Sequence, residues 1–187
     1  MFSFFKKKDN EVDNTRKFIH DTLGEFSVLF VRDANEYDGP MIKFINSNNK
    51  ELFISLKRGM DYNILLNNDD LKRKIVDSCD SLLKNKIIVF KEDLAEKESD
   101  NIQEWFEDYQ DLELDDIFFK SRESSPLEFE KIVRENANFE ITSVNVDENY
   151  NITRFAVLSK ISFLECYLMY EVEGETIKYI ESNINHE

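Results

Sequence analysis

Carboxylates are the most abundant reactive groups in this sequence, and they are unevenly placed. Between Glu92 and Asp116 twelve acids stand against one base, Lys97, so 25 residues carry −11 of a whole-chain net charge of −15. At helical spacing Glu104 and Asp108 share a face, as do Glu107 and Asp111, and Glu113, Asp115 and Asp116 follow just beyond. Two kinds of chemistry are open to such a cluster. Its oxygens could ligate Mg²⁺ or Ca²⁺, which would make the chain a carboxylate-based, Mg-dependent phosphoesterase. Alternatively, it forms a negative surface that steers a basic protein into contact. The segment has no twelve-residue loop with a central glycine, and a hydrolase site gathers its ligands from several elements. No cofactor or metal is therefore expected, and the phosphoesterase stands as the alternative reading.

Trp105, Phe106 and Tyr109 lie among these acids. With Ile102 they repeat at i, i+3, i+4 and i+7, which lays an aromatic face on the core or on a partner, where Trp and Tyr serve as anchors. Acids four residues apart on a helix repel by a few tenths of a kcal/mol each. A chain needing only solubility would spread its charge, so concentrated acid beside aromatics points to a basic cleft. The expected partner-binding residues are Glu104, Trp105, Glu107, Asp108, Tyr109, Asp111, Glu113, Asp115 and Asp116, and no catalytic residue is assigned.

Other catalytic constellations are missing from the sequence. Of two histidines, His186 is terminal, so a histidine general base would have to be His20, which reads as structural. Gly24, Gly39, Gly59 and Gly174 are isolated, so no phosphate-cradling loop exists, and no serine sits in a nucleophile elbow. Cys79 and Cys166 match no zinc or redox spacing and read as buried thiols, which fits a reducing, cytoplasmic compartment. A pI near 4.6 argues against direct nucleic-acid binding. No apolar run reaches the roughly 18 to 20 residues of a membrane span. The start, Met1 to Lys8, is apolar then basic, the reverse of a secretory signal, and reads as a frayed or docked terminus.

The elements that must position these residues form one α+β domain over 1–187, with 1–10 frayed and an acidic helical segment, 92–125, linking the two halves. With 41% hydrophobic residues, a chain of this length buries a sizeable core. Residues 10 to 22 read as a short helix or loop. A strand follows over Phe26 to Val31, then a turn at Asn35 to Pro40. Met41 to Asn46 and Glu51 to Lys57 form a hairpin about Ser47-Asn48-Asn49-Lys50. Leu52, Ile54 and Leu56 point inward, and Phe53, out of step, needs cover of its own. A helix capped by Asn68, Asp69 or Asp70 carries Leu71, Ile75, Cys79, Leu82 and Leu83 on its buried face. Ile87 to Phe90 fits either a strand or more helix. Asp100 and Gln103 resemble a capping box that starts a second, acidic helix. Ser125-Pro126-Leu127-Glu128 opens another, with Phe129, Ile132 and Val133 inward. The rest reads as an antiparallel meander: Phe139 to Val146, Ile152 to Leu158, Ile161 to Val172 and Thr176 to Ile180. The fold class is thus α+β, mainly antiparallel, with an N-terminal hairpin, a C-terminal meander and intervening amphipathic helices.

Leu23-Gly24-Glu25-Phe26, followed by a strand, a hairpin and an amphipathic helix, resembles the opening of small acidic bacterial domains of unknown function that begin with a Phe-Gly-Glu-like strand. The resemblance covers residues 22–84, and here Leu replaces the aromatic. Some such domains are immunity partners of polymorphic toxins. The resemblance therefore implies a cytoplasmic immunity or inhibitor protein that neutralises a basic partner such as a toxin domain. A scaffold or oligomerisation module using its edge strands is a further alternative.

Overall fold

The computed structural model describes residues 10–11, 17–20, 23–32, 39–108 and 116–186. The fold is α+β, with mostly antiparallel strands towards both ends of the sequence and a long helix between them. The chain divides into two compact units: Met1–Ser78 with Ser143–Thr153, and Cys79–Thr142 with Arg154–Glu187.

In the first unit β1 (Asn10–Glu11) and β2 (Lys17–His20) pair antiparallel with β3 (Gly24–Arg32). Of the helix or loop expected over 10 to 22, the described residues 10–11 and 17–20 are instead strand. Lys17–His20 alternates exposed and buried, a two-residue period too brief to stand out in sequence. Phe18 stacks on Phe26 at 5.0 Å between ring centroids and meets Phe44 edge-on at 5.3 Å. The expected hairpin is β4 (Met41–Asn46) with β5 (Glu51–Leu56). The Asn46 side-chain oxygen accepts from the Asn48 and Lys50 amides at 2.9 Å each, and Asn49 takes a left-handed φ of 59°. Leu52, Ile54 and Leu56 are buried, and Lys43 lies 5.0 Å over the Phe53 ring, giving that residue its cover.

β6 (Glu140–Val146) joins β5 in parallel, from Phe53↔Ser143 to Leu56↔Val146. This parallel pairing was not expected from the sequence. A parallel partner needs a long crossover, and the helical residues between β5 and β6 provide it. Beyond β6, the Asp147 carboxylate accepts from the Asn149 and Asn151 amides at 2.8 and 2.9 Å, closing a tight turn.

α1 (Tyr62–Leu66), not foreseen from the sequence, is capped by Asp61 and buries Leu65 and Leu66. α2 (Asp69–Asp108) starts where the Asn68 side chain accepts from the Leu71 amide at 3.1 Å. Lys72 is buried: its ammonium donates to Asp69 at 2.6 Å and to the Leu66 carbonyl at 3.0 Å, over the Phe18 ring. His20 is buried as well. The Leu23 amide donates to its Nδ1 at 3.1 Å, which leaves Nε2–H to face Asp77 at 2.9 Å. Both ring nitrogens are engaged, so His20 offers no lone pair for base catalysis.

In the second unit α2 continues unbroken. Ile87 to Phe90 is helix interior, and the two helices expected from sequence are one helix of 40 residues. The reason lies in how it is buried. Phe90 and Phe106 are both fully buried, yet at about 100° per residue they point roughly 160° apart around the axis. Phe90 packs among Phe139, Phe155 and Tyr170, with centroids 5.1 to 6.0 Å away. Phe106 packs among Phe119, Phe129 and Phe163 at 5.6 to 6.2 Å. Different neighbours cover different sides of one rod, so no single apolar stripe runs along it. α3 (Ile117–Lys120) and α4 (Pro126–Asn136) follow, α4 starting as expected with Ser125 capping the Glu128 amide.

β7 (Ile152–Ile161), β8 (Leu164–Glu173) and β9 (Thr176–His186) form an antiparallel meander. β9 runs six residues beyond the expected end at Ile180. The register passes from Met169↔Glu181 to Tyr170↔Tyr179, so Ile180 is an extra, bulged residue. Cys79 and Cys166 are free and buried, and burial pushes both thiols up to about 12. Among the described residues no helix is long and apolar enough to cross a membrane. Met1 to Lys8 and most of the turn expected at Asn35 to Pro40 lie outside the described residues.

Candidate partner-binding site

The described acids of Glu92 to Asp116 divide into two groups. The first is tied into the second unit's own structure. Glu92 accepts from Arg134 at 2.8 Å, and Arg134 also reaches Glu130 at 2.5 Å. Those two partners, Glu130 foremost, hold the guanidinium above its ordinary pKa. Asp93 pairs with Lys97 at 3.1 Å and accepts the Tyr170 hydroxyl at 3.0 Å. Burial, then the negative charge of Asp93, push the Tyr170 phenol well above its usual range. Glu98 is buried; it accepts from Ser182 Oγ and, at 2.9 Å, from Asn101. Ser182 in turn shares a 2.6 Å hydrogen bond with the Tyr179 hydroxyl. Each member of that chain has partners, which makes it a fixed polar seam between α2 and β9. Asp116 caps α3, accepting from the Phe119 amide at 2.9 Å.

The second group is free of such ties. Glu96, Asp100, Glu104, Glu107 and Asp108 are exposed, and among the described residues none of them has an ion-pair partner. Glu96, Asp100, Glu104 and Asp108 stand four apart, an unbroken i, i+4 ladder, and Glu107 falls on the same stripe, about 120° wide. Three neighbouring like-charged pairs cost the helix on the order of 1 kcal/mol.

Beside this ladder lies a groove of about 460 Å³. Asn101, Glu104, Trp105 and Asp108 line it from α2, with Glu98 at its floor, and Ser182, Asn183 and Ile184 line it from β9. Trp105 is half-buried there, while Ile102 and Phe106, its companions in the aromatic repeat, are core.

Of the residues expected to bind a partner, Glu104, Trp105 and Asp108 come together at the groove, and Glu107 lies on the same exposed stripe. Asp116 is used as a helix cap. Tyr109, Asp111, Glu113 and Asp115 lie outside the described residues. The capping box expected at Asp100 and Gln103 is corrected: both lie inside α2, and Gln103 donates instead to the Arg122 and Ser124 carbonyls at 2.6 and 3.0 Å. The β9 wall was missed in the sequence, because Glu181 to His186 is polar and shows no apolar alternation. Among the described residues no three His, Cys, Asp or Glu side chains converge as a metal-binding group. Set against known proteins, the chain matches no family model, and no curated protein or solved structure matches it.

Proposed function

We propose that this protein is a non-enzymatic, cytoplasmic binding protein that neutralises a basic protein partner, as an immunity protein does a toxin domain. The acid ladder on α2 carries the proposal: four carboxylates at successive i, i+4 positions, none of them in an ion pair among the described residues. A helix that keeps this repulsion loses stability by it, and the loss is recovered when a positive surface docks. Glu104, Glu107 and Asp108 supply complementary charge, Trp105 supplies an apolar anchor at the stripe's margin, and Tyr109, Asp111, Glu113 and Asp115 extend the same acidic run in sequence.

The test is affinity capture from the native cell extract by the wild-type chain and by a variant with Asp100, Glu104, Glu107 and Asp108 all changed to Lys. The wild-type chain should retain a protein with a strongly basic surface, and the variant, still folded by circular dichroism, should lose it. Equal retention of that protein by both would overturn the proposal.

A further inference from the structure

β9 is an edge strand: among the described residues it pairs only with β8. In a strand, alternate residues turn their main-chain N–H and C=O groups to opposite sides, so about half of those of β9 face away from β8 with no strand to meet. Ile180 bulges the middle of the strand and Lys178 charges its first half, both of which discourage pairing there. The second half, Glu181 to Asn185, has no lysine, no proline and no recorded bulge.

The groove beside α2 is lined by three consecutive β9 residues, Ser182, Asn183 and Ile184. The groove therefore runs along this half of β9, the half whose outer edge meets no strand among the described residues. Its far wall is α2, with Glu104, Asp108 and the half-buried Trp105. An open row of main-chain groups and a negatively charged wall with an indole thus flank one channel.

We propose that the second half of β9 receives an extended, basic segment of the protein partner as an added strand, with a lysine or arginine side chain seated between Glu104, Asp108 and Trp105. Main-chain hydrogen bonds give such a complex its affinity, and side chains at every second position give its specificity. A cation over the indole face adds to the carboxylate attraction. A second copy of this chain fits less well, because each copy brings a net charge of −15 to the other. The inference rests on the reading of the acidic face as a docking surface for a basic protein, and it adds the partner's conformation and the seat of one side chain.

The probes are three synthetic peptides, titrated into the full chain at low salt. One alternates Lys and Val, one has the same sequence with every second backbone amide N-methylated, and one alternates Glu and Val. Hydrogen exchange over Thr176–His186 provides an independent readout. The Lys-Val peptide should bind and slow exchange along β9. N-methylation should weaken it about tenfold or more, as should Glu104→Lys with Asp108→Lys, and the Glu-Val peptide should not bind. Equal binding of the methylated and unmethylated peptides, lost in the charge-reversed variant, would overturn strand addition while leaving the acidic docking surface intact. Binding of the Lys-Val peptide that survives charge reversal, or its failure to bind at all, would overturn the inference. Concentration-dependent self-association with protection of β9 in the absence of peptide would assign the edge to a second copy and overturn it too.

Discussion

Single residues in the acidic segment have opposite fates that their types do not announce. Glu98 and Glu104 are both glutamates on α2, six residues apart, yet one is buried against Ser182 and Asn101 and the other stands in solvent. Asp116 looks like another member of the charged run and is a helix cap. The sequence showed where the carboxylates are dense, because density is a local property. It did not show which are neutralised, because the partners Arg134, Tyr170 and Ser182 lie about 40 to 85 positions away along the chain. The aromatic repeat was half legible for the same reason. Ile102 and Phe106 are core, and only Trp105 among the described residues is left at the margin. Phe106→Ala should therefore destabilise the protein by about 3 to 5 kcal/mol in denaturant unfolding, the range for removing a fully buried phenylalanine. A loss below about 1 kcal/mol would mean that Phe106 is not the centre of its aromatic cluster.

Elements were legible where their signals are short-range. The Ser47 to Lys50 hairpin turn, the inward face of β5 and the Ser125 helix start all depend on residues within four positions of one another, and each forms as expected. α2 was not read as one helix, because its buried side changes from Phe90 to Phe106 and the pattern therefore looks like two. The parallel pairing of β5 and β6 is a choice of partner, which local periodicity does not encode. The turn after β6 makes a prediction at this scale. The Asn151 amide, ahead of the Asn151 side chain and the Asn149 amide, lowers the pKa of Asp147, and Lys57 lowers that of Glu148. Both groups are depressed on folding, so their contribution is present above the unfolded carboxylate range near pH ~4 and is lost as pH falls through the lower folded values. Stability measured between about pH 5 and 2 should fall less steeply in Asp147→Asn, which keeps an acceptor oxygen but cannot titrate there. An unchanged slope would remove Asp147 from the acid response.

At the scale of the whole molecule, the excess negative charge is a matter of place as much as of amount. Arg134, Lys97 and the α3 cap account for some acids of the dense segment; among the described residues the ladder from Glu96 to Asp108 is what remains. If that remainder serves a partner of opposite sign, as proposed, electrostatics governs how such a partner arrives. Electrostatic steering raises association rates by factors of roughly 10 to 1,000 and fades as salt screens it, whereas dissociation depends on short-range contacts. The most direct measurement is the association rate of the captured partner with the wild-type chain and with the Asp100, Glu104, Glu107 and Asp108 charge-reversed variant, from low to high salt. The expected result is a wild-type rate that falls steeply with salt and a variant rate that is slower at low salt and does not fall as salt rises. Equal rates with equal salt dependence in the two proteins would contradict the central claim.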